Sequence, residues 1–277
     1  RGLPGATTKA AGDAAEDRAL AHLQQVASVK LNPDAHDWST AELIEQAQGC
    51  DVLIAYRQTV LDADFFAAVP GLLAAVRCAV DIRTIDVAAA SREGVLVTRA
   101  SPGFGPSVAE WVLGVMIDLS RHITAATAAY RQGQTVEPRM GLELRGACVG
   151  IIGYGEIGRH VARLAQAFGM QLLIAEHPGA LHCRDGRTPF FTALAQADVV
   201  SLHCPLTPQT DRLFNHDVFA AMKPGALLIN TARGGLIDEA ALLQALQQGQ
   251  LGGAALDVLT QEPPSSDNAL IQANLPQ

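Results

Sequence analysis

The sequence predicts an α/β fold in two parts. A small parallel-sheet domain is expected over residues 1–100, and a doubly wound parallel sheet over residues 101–277. Three observations lead there. Short apolar strands alternate with helical stretches through the first hundred residues. A breaker-rich hexapeptide, Ser101-Pro102-Gly103-Phe104-Gly105-Pro106, interrupts that alternation. Finally, Gly153-Tyr154-Gly155-Glu156-Ile157-Gly158 joins a buried-looking strand to a helix. A chain of 277 residues that is 49% hydrophobic can fill two cores of this kind.

In chain order, Ala14 to Ala27 reads as a helix with Ala19, Leu20, Leu23 and Val26 on one face. Val29-Lys30-Leu31 reads as a short strand. Ser39-Thr40-Ala41-Glu42 has the form of a capping box opening a helix. Asp51 to Ala55, Leu72 to Ala79 and Val95 to Val97 read as strands. Ser107 to Glu110 has the form of a second capping box, and Trp111, Val112, Val115, Met116 and Leu119 follow at helical spacing. Ile117 and Ile123 widen that stripe, which suits either a core helix or one shared with another subunit. Strands then recur at Ala147–Ile152, Leu172–Ala175, Val199–His203, Ala226–Asn230 and Gly253–Val258.

The run around Gly153 carries the first chemical expectation. The apolar residues 147–152 lead in, Ile157, Val161, Leu164, Ala165 and Phe168 follow at helical spacing, and a second apolar run ends at Glu176. Strand, glycine turn, helix, strand and acid, in that order, bind a dinucleotide. Gly153 permits the tight turn, Gly155 lets the backbone approach a pyrophosphate, and Gly158 lets the helix pack on its strand. The anion meets backbone N–H groups at the positive end of the helix dipole. Glu176 is placed to accept hydrogen bonds from a ribose diol and to repel a 2′-phosphate, which favours NAD over NADP. The plain alternatives are a glycine turn in an unrelated α/β protein and a surface glutamate.

Three further motifs close strands of the same sheet, where ligands of such sheets lie. They are His203-Cys204-Pro205-Leu206-Thr207, Asn230-Thr231-Ala232-Arg233-Gly234-Gly235 and Asp257 to Pro263. Arg233 is the leading substrate contact, because a guanidinium grips a carboxylate through two parallel hydrogen bonds. The plain alternative is a surface arginine paired with Asp238. Cys204 beside His203 resembles a nucleophile–base pair, but neighbours on a strand face opposite ways.

Bulk properties narrow the remaining classes. A net charge of −8 argues against nucleic acid as the main partner. No eighteen-residue apolar run suggests a membrane span. The five cysteines are scattered without a CxxC, as in a reducing compartment, so a cytoplasmic location and no metal site are expected.

From about Leu72 to its end the chain resembles the D-isomer-specific 2-hydroxyacid dehydrogenase family. The likeness rests on Val149 to Gly158, on Pro205-Leu206-Thr207-Pro208-Gln209-Thr210, and on Asn230 to Glu239. Ala254 to Val258 and Glu262-Pro263 extend it. The resemblance implies two Rossmann-like domains with an active-site cleft between them, an NAD cofactor, and hydride exchange with a small 2-hydroxy or 2-keto acid. It assigns residues 1–100 to substrate binding and 101–277 to NAD. Arg233 matches the substrate-binding arginine, and Glu262 the glutamate that supports the catalytic histidine. Asp257 matches the aspartate beside the nicotinamide. Tyr154 to Ile157 match the pyrophosphate loop and Glu176 the ribose acid. His203 to Pro205, Thr210, Thr231 and Ala232 fall in the cofactor-lining segments. The helix beginning at Ser107 matches the one in the family's homodimer interface.

Two departures stand out. None of the eight histidines follows Glu262; the family's histidine is expected beyond Gln277, and both ends of the chain read as cut, the first domain as incomplete. Second, Asp81 in Cys78-Ala79-Val80-Asp81-Ile82-Arg83 replaces a glycine in the loop whose backbone, at Val80 and Asp81, would hold a substrate carboxylate. Asp81 either pairs locally with Arg83 or faces the substrate. The alternative function is an NAD(H)-binding sensor that uses the same fold without catalysis.

Overall fold

The computed structural model describes residues 14–33, 36–101, 103–273 and 275. The chain forms two compact units, residues 1–102 and 103–277, so the division falls inside the predicted hexapeptide.

The first unit contains α1 (Ala14–Val26), α2 (Thr40–Ala47), β1 (Val52–Ala55), α3 (Ala63–Ala68), β2 (Ala74–Arg77), α4 (Val87–Arg92) and β3 (Leu96–Arg99). Its three strands are parallel in the order β1-β2-β3, with Val52 opposite Ala74 and Ala74 opposite Leu96. The capping box predicted for α2 forms: the Glu42 N–H donates to Ser39 Oγ, and the Glu42 carboxylate accepts from the Ser39 N–H. Asp62 and Asp86 cap α3 and α4 with their side chains alone, accepting from the Phe65 and Ala89 N–H groups. The core gathers Leu53, Ala55 and Ala75 from the sheet with Phe65 and Phe66, whose two rings meet edge to face. Two expectations are corrected. Val29 to Leu31 form no strand: among the described residues the sheet consists of β1, β2 and β3, and these residues join neither of its edges. On α1 only Leu20 and Leu23 of the predicted face are even half-buried; Val26 is 77% exposed.

The second unit opens with α5 (Gly105–Arg121) and α6 (Ile123–Arg131). It continues through β4 (Cys148–Ile152), α7 (Glu156–Ala167), β5 (Gln171–Ile174), α8 (Phe190–Gln196), β6 (Val199–Leu202), α9 (His216–Ala221), β7 (Ala226–Asn230), α10 (Glu239–Gln247), β8 (Leu251–Leu256) and α11 (Ala269–Gln272). Its parallel strands run β5-β4-β6-β7-β8. The winding reverses at β4, so the exits of β4 and β6 lie side by side at the switch point where ligands of such sheets bind. β6 and β7 are buried along their whole length, as strands covered on both faces must be.

The predicted capping box at Ser107 does not form. The helix starts two residues earlier, with Pro106 in its first turn, and the Ser107 hydroxyl donates instead to the Phe104 carbonyl. The stripe running on to Ile123 is also interrupted: His122, at φ 55°, ends α5 and starts α6. Ala109, Val112 and Met116 are buried, whereas Trp111 stays 38% exposed. No helix among the described residues is long and apolar enough to cross a membrane.

Candidate active site

The site is built from the exits of β4, β5, β6 and β7. Gly153 leaves β4 at φ +98°, and a Cβ there would lie 2.5 Å from the Cys204 nitrogen and 2.6 Å from the His203 carbonyl carbon. Only glycine lets these two strand exits pass so closely. A Cβ on Gly158 would strike the Gly153 carbonyl oxygen, so this glycine seats the first turn of α7 on the strand. Gly155 differs from both: nothing lies within 4 Å of the space its Cβ would take. That open space faces a helix start whose N-cap is Gly155 itself, without a side-chain cap. The first N–H groups of α7 therefore have no internal carbonyl to meet. Glu156 turns its carboxylate toward Gly105, and Ile157 is half-buried. The Tyr154 ring carries the Arg187 guanidinium 5.1 Å from its centroid.

Two buried polar atoms at the same edge lack partners, His203 Nδ1 past β6 and Thr231 Oγ1 past β7. The other His203 nitrogen is 2.8 Å from Ser201 Oγ. Burial pushes the His203 pKa down to about 4, so its ring is neutral at neutral pH. Burial also pushes the Cys204 thiol up to about 11, which leaves it protonated and argues against a Cys–His nucleophile. An open glycine cradle at a helix start, flanked by unsatisfied buried polar atoms, is what a dinucleotide's phosphates and amide would fill. The donor set fits such a cofactor.

Arg233 is exposed, and its Nη1 donates to the Ala232 carbonyl at 2.6 Å. The turn that carries it is held from below by Asn230. Its Nδ2 donates to the Arg233 carbonyl and its Oδ1 accepts from the Ala232 N–H, both at 2.9 Å. A Cβ on Gly234 would overlap the Leu259 carbonyl, and one on Gly235 would lie 2.9 Å from Leu206. These glycines thus draw all three sequence motifs together. Asp257 is exposed and its N–H donates to the Asn230 carbonyl. Glu262 is exposed and accepts from the Leu259 N–H at 3.2 Å. Asp238 caps α10, its carboxylate accepting from the Ala240 and Ala241 N–H groups. Thr210 is buried, and its hydroxyl binds the Pro205 carbonyl and the Thr207 N–H, so it shapes the loop from inside while Pro205 stays exposed.

Sequence reasoning missed Glu239, whose carboxylate accepts from the Thr260 N–H at 2.7 Å and from Asn268 Nδ2 at 3.0 Å. It pins the segment that carries Glu262. No local signal distinguishes it from any helix-start glutamate.

Glu176 is buried at the end of β5, and its carboxylate is fully engaged. One oxygen accepts from the His177 N–H at 2.9 Å and Arg184 Nη2 at 2.5 Å. The other accepts from the Arg184 N–H at 3.1 Å and Arg184 Nε at 2.8 Å. The Arg184 guanidinium and these backbone N–H groups hold its pKa well below the usual carboxylate range.

In the first unit Asp81 accepts from Arg83 Nε and Nη2 at 2.8–3.1 Å and from the Arg83 N–H, so the local pair forms. The Val80 carbonyl accepts from Arg99. A cavity of about 460 Å³ beside α5, α6 and β8 is lined by Ala254 and Ala255 but by none of the candidate site residues. Among the described residues no cluster could hold a metal ion.

Residues 113–276 match the model of the D-isomer-specific 2-hydroxyacid dehydrogenase NAD-binding domain. The chain belongs to the D-isomer-specific 2-hydroxyacid dehydrogenase family. Within that family it is 37% identical over 246 residues to a glycerate dehydrogenase of Methylorubrum extorquens, covering 86% of this chain and 77% of that protein. It is 40% identical over 238 residues to the D-3-phosphoglycerate dehydrogenase of Rattus norvegicus, covering 84% of this chain but only 44% of that longer one. Among solved structures, a glyoxylate reductase from Paecilomyes thermophila superposes with a TM-score of 0.78 at 28% identity, over 94% of this chain and 82% of that one. The chain is therefore an oxidoreductase of the 2-hydroxyacid dehydrogenase family, with an NAD-binding domain in its second unit.

Proposed function

We propose that the protein interconverts a small 2-keto acid and its D-2-hydroxy acid with a nicotinamide dinucleotide. The reading is carried by one convergence. The open Gly155 cradle, the orphaned His203 and Thr231 atoms, and Arg233 all end strands of a single parallel sheet.

The bound dinucleotide supplies or accepts the hydride. Gly153 to Ile157 hold its pyrophosphate on the N–H groups of α7, and Asp257 meets the nicotinamide carboxamide. Arg233 clamps the substrate carboxylate and stabilises the negative charge that grows on the carbonyl oxygen as hydride reaches carbon. A proton then completes the hydroxyl. Glu262 is the carboxylate that would orient and charge a histidine proton donor of the kind the family resemblance implies. The first unit contributes substrate-binding groups, the backbone N–H groups near Val80 and Asp81. Because Asp81 is paired with Arg83, its charge is offset and an anionic substrate is not repelled. The exposed Trp111 of α5, with Ile123 and Tyr130 of α6 beside it, is apolar surface available for the homodimer contact expected on the helix beginning at Ser107.

The expectation of NAD rather than NADP rested on a Glu176 carboxylate free to meet a ribose. With that carboxylate engaged four times over, the choice at the 2′ position passes to its neighbours.

The test mixes the protein with NADH or NADPH and a panel of 2-keto acids and follows loss of nicotinamide absorbance. Turnover is expected, and Arg233→Ala lowers kcat/KM by about 10²-fold or more while dinucleotide affinity holds within threefold. Dinucleotide binding without turnover on any keto acid would replace this reading with that of an NAD(H) sensor.

A further inference from the structure

The loop after β5 is tied at its base and studded with cations. The Glu176 N–H donates to the Thr188 carbonyl and the Thr188 N–H to the Ile174 carbonyl, closing residues 177–187 into one loop. Glu176 pins the loop from inside through Arg184. A carboxylate offers about four acceptor positions, and Arg184 and His177 fill all four. None is left for a ribose diol, and the anionic charge is neutralised where it would have opposed a 2′-phosphate.

The other side of the clasp faces solvent. The Arg184 side chain is 69% exposed. Of its five N–H donors, only Nε–H and one on Nη2 reach Glu176, so three remain. Arg187 stands on Tyr154, inside the glycine loop itself. His177 accepts the Gly179 N–H at Nδ1 and keeps Nε2. Asp185, exposed in the same turn, is the opposing charge. Among the described residues, neither Arg184 nor Arg187 meets a carboxylate other than Glu176. The adenosine ribose of a dinucleotide lies at the end of the second strand of the β-α-β unit, and an arginine there accommodates a 2′-phosphate.

We propose that Arg184, held by Glu176 and assisted by Arg187, receives the 2′-phosphate of NADP(H), so that the protein binds NADPH at least as well as NADH. Glu176 is then a positioning residue for the arginine and makes no contact with the ribose. This inference rests on the dinucleotide reading of the second unit.

The intact chain is titrated with NADPH and with NADH by nicotinamide fluorescence, and bound NADPH is displaced with adenosine 2′,5′-bisphosphate or 5′-AMP. The expected Kd for NADPH is equal to or below that for NADH, with the bisphosphate displacing at a tenfold or more lower concentration than 5′-AMP. Arg184→Ala should raise the ratio of NADPH to NADH Kd tenfold or more. Arg187→Ala lies outside the Glu176 clasp and should raise it less, which keeps the test valid if loss of Arg184 collapses the loop. NADH binding tightly with NADPH thirtyfold weaker overturns this inference alone, as does a ratio that neither variant moves. Failure of both dinucleotides to bind removes the dinucleotide reading and this inference with it.

Discussion

Gly153 and Gly155 sit two residues apart in one loop, yet the same added methyl group should do opposite things at each. In Gly153→Ala the new Cβ would sit 2.5–2.8 Å from three backbone atoms of His203 and Cys204, at φ +98°. Backbone in that region costs a non-glycine residue about 1–2 kcal/mol. The overlap cannot be relieved by a rotamer change, and moving packed strand exits apart costs roughly another 1–3 kcal/mol. A total of about 3 kcal/mol lowers Tm by about 6–12 °C for a unit of this size. In Gly155→Ala the φ of −81° is ordinary and no atom lies within 4 Å of the new carbon. Stability should stay within about 0.5 kcal/mol, but the methyl group takes the space of the pyrophosphate, and dinucleotide Kd should rise tenfold or more, about 1.4 kcal/mol. Thermal melts of the unliganded variants and nucleotide titrations separate the two. If Gly155→Ala binds dinucleotide as the parent does, the cradle is not the phosphate site; if Gly153→Ala melts with the parent, the close passage of β4 and β6 is wrong.

Other outcomes follow from the same geometry. His203 has a folded pKa of about 4 against an ordinary 6.5, so below pH 6.5 the unfolded chain takes a proton that the folded one refuses. Stability should be intact above about 6.5 and fall by about 3 kcal/mol toward pH 4; urea unfolding of His203→Gln should lack this increment, and an imidazole titrating near 6.5 by NMR would contradict it. Burial raises the Glu239 pKa, but hydrogen bonds from Thr260 and Asn268 outweigh it and the net shift is downward. Its contribution is thus present above pH 4.5 and lost as pH falls through the lowered folded value. Glu239→Ala should cost about 1–2 kcal/mol and speed amide exchange at Thr260, and unchanged exchange would show that the Glu262 segment is held otherwise. Arg83→Ala takes the paired guanidinium away from the Asp81 carboxylate and should raise KM for a 2-keto acid at least threefold, with Asp81→Asn in the same chain restoring it; a KM unmoved by both changes would remove this loop from the substrate site.

Periodicity and punctuation carried much of this protein in one dimension. The five strands of the second sheet, the box at Ser39 and Glu42, and the break near Pro102 all follow from contacts within a few residues, where apolar spacing and capping chemistry are written directly. Gly153, Gly155 and Gly158 were legible as a motif for the same reason, and so was Arg233 beside two glycines. The failures share a cause as well. Val29 to Leu31 needed a strand beside them, and the stripe through Ile123 could not announce the left-handed His122 that breaks it. Glu176 was read as a bare acid because Arg184 lies eight residues away, across a loop whose closure no local rule predicts. Which carboxylate is free, which histidine is buried neutral and which glycine opens onto empty space depend on what the folded chain brings alongside each residue. Burial and charge pairing are properties of the packed neighbourhood, and they exist only once the strands have been laid side by side.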